Sequence, residues 1–293
     1  MKQPLFEGAA TALITPFKPS GELDLEGLEI LIERQIDEGI SALVLAGTTG
    51  EASTLTFEEF GRLIASACKA IRGRVPLIAG TGNNNTAKAI KWSLEAQKRG
   101  ADAILSVTPY YNKTTQEGLI RHYEMIANHT ELPIILYHIP SRTGMKMDPK
   151  TVKALSEHER IIGIKEASGD LSFVADIASL CPQFPIYSGN DDQILPILSL
   201  GGCGVISVLS NIAPKAVQNI CRFFFEGDFR NATAVQLRMI PMIRALFSSV
   251  NPIPVKKALE LMGLPAGKPR MPLVECDEKA AAQLKCMLNE FGI

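Results

Sequence analysis

Apolar positions in this chain of 293 residues fall into two alternating patterns. Short, nearly unbroken runs of Ala, Val, Ile and Leu occur at residues 10–14, 42–46, 77–79, 103–107, 134–137, 161–165, 185–187 and 204–208. Between many of them lie longer stretches, such as 25–38, 57–71, 86–99, 116–128 and 170–180, whose apolar residues recur every three or four positions. The short runs read as strands buried on both faces, and the longer stretches as amphipathic helices. Eight strand-like runs alternating with helices in about 220 residues predict an α/β protein, a closed (β/α)8 TIM barrel rather than an open doubly wound sheet.

Helix starts support the division: Asp24 precedes the first periodic stretch, and Thr56 with Glu59 three residues later forms a capping box. Beyond the eighth strand the chain stays helical, punctuated by Pro252, Pro254, Pro265, Pro269 and Pro272. Residues 1–226 are therefore expected to form the barrel. Residues 227–293 are expected to form a C-terminal helical region packed on it rather than an independent domain.

Composition removes several function classes. Hydrophobic residues make up 46% and charged residues 21%, which suits a large core. With 30 basic and 31 acidic residues the formal net charge is −1, so nothing favours a nucleic-acid partner. The six cysteines contain no Cys-x-x-Cys pair and read as reduced thiols, and the four histidines show no metal-ligand spacing. No apolar run approaches the roughly 18 residues of a membrane span. The first 17 residues lack a charged-then-apolar leader pattern. A cytoplasmic protein without membrane partners is expected.

In a (β/α)8 barrel, chemistry gathers at the C-terminal ends of the strands. Lys165 stands out there, because it closes the apolar run Ile161-Ile162-Gly163-Ile164. An ammonium in a buried strand is costly, and burial favours the neutral amine, the form that attacks a ketone to give a Schiff base. The alternative is a lysine that leaves the strand end and pairs with Glu166. The second strand ends in Gly47-Thr48-Thr49-Gly50-Glu51, whose amides and hydroxyls suit a carboxylate but lack the Gly-Lys-Ser/Thr of a nucleotide loop. The Gly80-Thr81-Gly82 turn reads as structural. The fourth strand runs into Tyr110-Tyr111, which cannot both face one way on an extended backbone. Tyr137 closes the fifth strand, where its hydroxyl can relay a proton, and Arg142 follows with a planar fork that fits a carboxylate. An amine nucleophile, phenols and anion-binding groups at one barrel mouth fit carbon–carbon chemistry on a keto acid.

Four of these segments, Gly47-Thr48-Thr49-Gly50-Glu51, Thr108-Pro109-Tyr110-Tyr111-Asn112, Ile139-Pro140-Ser141-Arg142-Thr143-Gly144 and Gly163-Ile164-Lys165-Glu166-Ala167, occur in an order that resembles the 4-hydroxy-tetrahydrodipicolinate synthase (dihydrodipicolinate synthase) family. That family belongs to the pyruvate-dependent class I aldolases, which include N-acetylneuraminate lyase. The likeness extends to Asn251-Pro252-Ile253-Pro254-Val255-Lys256. The resemblance implies that Lys165 forms the Schiff base with pyruvate, and that Tyr137 shuttles protons through Thr48 to a Tyr111 from the neighbouring subunit. It implies that Thr49 and the backbone around Gly189 and Ile206 hold the pyruvate carboxylate. Arg142 would bind the carboxylate of aspartate 4-semialdehyde. The implied assembly is a homotetramer built from dimers, and no cofactor is implied.

Two departures stand out. His138 follows Tyr137 where these synthases often carry asparagine; it is expected to be a satisfied structural histidine without a catalytic role. In lysine-inhibited relatives a serine, two histidines and a glutamate join an asparagine and a tyrosine at a subunit interface. Here Asn84 and Tyr110 match, but Ala52, Phe57 and Phe60 replace the first three and Lys88 replaces the glutamate. A lysine ligand would meet Lys88 with like charge, so insensitivity to lysine is expected. Two other readings stay open: a sister aldolase that cleaves a sugar acid, and a non-catalytic keto-acid sensor.

Overall fold

The computed structural model describes residues 2–293. Its elements, in chain order, are β1 (Gly8–Ala12), α1 (Leu25–Asp37), β2 (Ala42–Leu45), α2 (Phe57–Ile71), β3 (Leu77–Gly80), α3 (Thr86–Lys98), β4 (Ala103–Val107), α4 (Gln116–His129), β5 (Ile134–His138), α5 (Pro140–Thr143), α6 (Pro149–Ser156), β6 (Ile161–Glu166), α7 (Leu171–Leu180), β7 (Ile186–Ser188), α8 (Ile194–Ser199), β8 (Gly204–Ser207), α9 (Pro214–Phe225), α10 (Phe229–Leu246), α11 (Ile253–Leu261) and α12 (Glu278–Phe291). The strands close in the order β1 to β8, and Ala10 of β1 lies opposite Ile206 of β8. The (β/α)8 barrel expected from the sequence is the observed fold.

The unbroken apolar runs are explained by two packing shells. Alternate residues point inward, as Ala42, Val44, Ile78, Leu105 and Ile135 do, and fill the barrel. Their neighbours Leu43, Leu45, Leu77, Ile104 and Ile134 point outward into the layer under the helices. A strand buried on both sides needs apolar residues at every position, so no polar alternation survives.

The first strand begins two residues earlier than expected. It also ends two residues earlier, because the Ile14 amide leaves the ladder and donates at 3.1 Å to Asn211 Oδ1, distant along the chain. The short helices α5, α6 and α8 were not anticipated. Two of them start on prolines, which fit the first helical turn as readily as a loop. The capping box at Thr56 and Glu59 forms in both directions, at 2.9 and 3.1 Å. Past α9, α10 packs on α9 and α12, and α11 packs on α12. No helix among the described residues is long and apolar enough to cross a membrane.

Candidate active site

The register of β5 on β6 places Tyr137 directly beside Lys165, both facing the barrel interior. Each is only 6% exposed, and Lys165 Nζ lies 4.5 Å from the centroid of the Tyr137 ring. The pairing of Lys165 with Glu166 does not form. Successive residues of a strand face opposite ways, so Glu166 points outward, where its carboxylate takes hydrogen bonds from His138 Nδ1 at 3.2 Å and the Ser168 amide at 2.6 Å. Lys165 is thus buried with no carboxylate in a salt bridge to it among the described residues.

The end of β7 is shaped around this lysine. A Cβ at Gly189 would lie 3.1 Å from Lys165 Cε and 2.5 Å from Ala167 Cβ, so a side chain there would push the lysine aside. Two residues on, Asp191 is buried, and its Oδ2 accepts from the Val208 and Leu209 amides at 3.1 and 2.9 Å. Its Oδ1 has no hydrogen-bond partner among the described residues. Burial pushes the Asp191 carboxyl above its ordinary range; the Ser207 hydroxyl, the two amides and the charge of Lys165 pull the other way. The sequence shows Asp191 only as one of two adjacent aspartates after the strand. Its burial and its tie to the β8 end became visible only in three dimensions.

The loop after β2 is sharp, with Ala46 at φ 52° and Glu51 at φ 54°. A Cβ at Gly50 would lie 3.0 Å from the Ala46 amide nitrogen, which explains the glycine. The loop buries Thr49, whose Oγ1 accepts from Asn251 Nδ2 at 3.0 Å. The main-chain oxygen of Asn251 accepts from Arg142 Nη2 at 3.4 Å. Asn251 thus joins the Thr48-Thr49 loop to the arginine that follows β5, a role the sequence did not reveal. Beneath the loop, Glu51 and Lys256 form a buried ion pair at 2.6 Å. Glu51 Oε2 also accepts from the Arg270 amide at 2.8 Å. Burial lowers the Lys256 ammonium below its ordinary value, although Glu51 partly offsets this.

A cavity of about 330 Å³ opens at this barrel mouth, lined by Thr48, Tyr110, Tyr137 and Arg142. The Gly80-Thr81-Gly82 turn borders it, and a Cβ at Gly82 would overlap the Val107 amide. From there the cavity runs toward Ala52, Ser53 and Trp92. Tyr110 and Tyr111 point apart, though through a bend rather than an extended backbone: Tyr110 faces the cavity, while Tyr111, at φ 67°, is 92% exposed. The structure therefore gathers Thr48, Thr49, Tyr137, Arg142, Lys165 and Gly189 at one end of the barrel. Ile206 is buried in the barrel interior on β8, and Tyr111 does not line the cavity of its own chain. No group of three or more His, Cys, Asp or Glu among the described residues could hold a metal ion.

Of the positions expected to decide lysine binding, Ala52 and Tyr110 line this cavity. Phe60 is fully buried with its ring 4.6 Å from Trp92, and Phe57 meets the same ring edge-on at 5.9 Å. The Asn84 amide donates to the Tyr110 carbonyl at 3.1 Å, and Lys88 is exposed in the first turn of α3.

The family described as the dihydrodipicolinate synthetase family matches residues 5–291. The 4-hydroxy-tetrahydrodipicolinate synthase of Thermoanaerobacter sp. (strain X514) is 49% identical over 292 residues, covering 99% of this chain and 98% of that one. A solved structure of the chloride-inhibited dihydrodipicolinate synthase of Acinetobacter baumannii, complexed with pyruvate, superposes with a TM-score of 0.95 at 41% identity, covering 98% and 99% of the two chains. That of Cyanidioschyzon merolae, with lysine bound, superposes with a TM-score of 0.96 at 40% identity, covering 99% of each. With a family match over nearly the whole length and the same closed barrel, the chain is a lyase that belongs to the dihydrodipicolinate synthetase family.

Proposed function

We propose that this enzyme condenses pyruvate with aspartate 4-semialdehyde through a Schiff base on Lys165, giving 4-hydroxy-tetrahydrodipicolinate for lysine and diaminopimelate synthesis. The observation that carries the proposal is Lys165 itself, buried beside Tyr137 on the adjacent strand with no carboxylate among the described residues salt-bridged to it. The neutral amine attacks the pyruvate carbonyl, and loss of water leaves a protonated imine. The imine nitrogen draws electrons, a methyl proton leaves, and the enamine carbon bonds to the aldehyde carbon. The new alkoxide takes a proton, and the amino group of the semialdehyde half then displaces Lys165 to close the ring.

The other residues divide the remaining work. Tyr137 carries protons, since its position beside Lys165 puts a hydroxyl-bearing ring against the reacting nitrogen. Thr49 and the backbone around Gly189 and Ile206 hold the pyruvate carboxylate, and Arg142 at the cavity rim holds that of the semialdehyde. Thr48 passes the proton to Tyr111 of a second subunit. The 92% exposure of Tyr111 supports this, because a ring that solvated is free to enter a neighbour's cavity. The proposed assembly is a homotetramer built from such dimers. The relative complexed with pyruvate and the names of the curated relatives support the substrates.

Insensitivity to lysine is part of the proposal. The two phenylalanines are committed to packing on Trp92, and Lys88 offers a like charge where an ammonium would need a carboxylate. We likewise propose residues 1–226 as the catalytic barrel and 227–293 as a region that completes it.

Reduction with borohydride in the presence of pyruvate tests the chemistry: a reduced adduct is expected on Lys165, and its absence would refute the Schiff base. Replacing Arg142→Ala should cut kcat/KM for the semialdehyde by about 100-fold while pyruvate trapping persists. Unchanged kinetics would favour the sugar-acid aldolase reading. Half-inhibition by sub-millimolar lysine would refute the insensitivity.

A further inference from the structure

The outward faces of the two strands that carry Tyr137 and Lys165 hold a second buried pair that the chemistry above does not use. His138 and Glu166 are register partners, one residue beyond Tyr137 and Lys165, and are 2% and 1% exposed. We propose that His138, hydrogen-bonded to Glu166, is a positioning residue that fixes the approach of Tyr137 to Lys165. The inference rests on the role assigned to Lys165 above.

Hydrogen bonds settle the protonation pattern of the ring. Nε2 lies 3.2 Å from the Met147 amide, which is a donor, so Nε2 must accept. The proton of the neutral ring is therefore on Nδ1, which donates to Glu166 Oε1 at 3.2 Å. Glu166 is held in turn by the Ser168 amide at 2.6 and 3.1 Å and by the Ser168 hydroxyl at 2.9 Å. The groups facing the ring are Glu166 from β6, the Met147 amide from the α5–α6 connection, and the apolar ring of Phe173 from α7, 4.6 Å away. Glu166 is the charged group among them.

The position of this pair matters for the strands it joins. The β5–β6 ladder shifts register between Ile134 and Ile135 and then runs unbroken to His138 and Glu166, its last pair at the catalytic end. At that end His138 pins the two strands: its ring holds Glu166, and its main-chain oxygen accepts from the Ala167 amide at 2.9 Å. Through Met147 the same ring reaches the connection that follows Arg142. A shift of about 1 Å between reacting groups can cost on the order of 100-fold in rate. A tether just behind both groups is well placed to prevent one.

The test compares His138→Phe, which keeps a ring against Phe173 but loses both hydrogen bonds, with His138→Asn, which keeps a donor toward Glu166. In His138→Phe, kcat and the rate of borohydride trapping of pyruvate should fall by about tenfold or more, with both KM values within about threefold. His138→Asn should restore most of the loss. Wild-type kcat in His138→Phe, or a loss that only tracks the folded fraction and leaves each folded site at full rate, would overturn the proposal. If His138→Phe does not fold, full activity in Glu166→Leu, which also removes the acceptor, would overturn it equally. No adduct on Lys165 in the wild-type control would refute the Schiff base rather than the positioning role.

Discussion

Removing Lys256 should destabilise the enzyme more than removing it together with the charge of Glu51. The two side chains are 2% and 0% exposed with Nζ and Oε1 2.6 Å apart. At an effective dielectric of about 20 their attraction is on the order of 6 kcal/mol, and the desolvation of two ions offsets most of it. The intact pair therefore adds little net stability. Replacing Lys256→Met leaves the Glu51 carboxylate buried with the Arg270 amide as its remaining described partner, which should cost about 3–5 kcal/mol. Adding Glu51→Gln removes the stranded charge and keeps an acceptor for that amide, so the double variant should lose only about 1–3 kcal/mol. Urea unfolding at one fixed protein concentration, followed by circular dichroism and the fluorescence of the single Trp92, measures the difference. A Lys256→Met enzyme within about 0.5 kcal/mol of wild type, or a double variant less stable than the single one, would refute the reasoning. Glu51 closes the loop that carries Thr48 and Thr49, so kcat/KM for pyruvate should fall in Lys256→Met and partly recover in the double variant.

Three further outcomes are expected. Burial lowers His122 from its ordinary value of 6.5 to about 4; a depressed folded-state value means stability present above pH 6.5 and lost as pH falls toward 4, about 3 kcal/mol in all, and His122→Gln should flatten that slope in urea unfolding. Tyr111→Phe should leave stability within about 0.5 kcal/mol, because the ring is 92% exposed, yet lower kcat; mixing Tyr111→Phe chains with Lys165→Ala chains should raise activity above either alone if the tyrosine acts across subunits, and no gain would exclude a shared site. Gly189→Ala should reduce kcat/KM for pyruvate by about tenfold or more through contact with Lys165 Cε, and wild-type kinetics would show that the lysine tolerates displacement.

The barrel was legible because its strands are buried on both faces, which leaves an apolar signature that needs no partner to interpret. What local pattern could not supply was the reach of distant side chains. Asn211 draws the Ile14 amide out of the β1 ladder from 197 residues away. The helices α5, α6 and α8 span four to eight residues, below the window in which helical periodicity can be read. In the site, Lys165 was legible because a charge interrupts an apolar run, and Tyr137 because it sits at the same level of the adjacent strand. Asn251, Asp191 and the Glu51–Lys256 pair carry no such local contrast; their partners are separated by 202, 17 and 205 residues. Tyr111 marks a different boundary, since its proposed partner lies on another copy of the chain.

The contact between Asn251 and Thr49 bears on how the proposed pyruvate site is oriented. A threonine hydroxyl has one proton to give. Because Oγ1 of Thr49 accepts from Asn251 Nδ2, that proton stays available for a carboxylate. The same asparagine takes a hydrogen bond from Arg142 through its main-chain oxygen and leaves most of the guanidinium fork free for the second substrate. One residue just ahead of α11 thus touches the groups assigned to both carboxylates, and Lys256 in the first turns of the same helix supports the loop beneath them. In the proposed mechanism the barrel supplies the nucleophile, but the relative placement of the two proposed anion-binding groups depends on chain that lies outside it. On the proposed reading the helices after α9 complete the site as well as cover the barrel, and a substitution in them should change kinetics without touching a substrate.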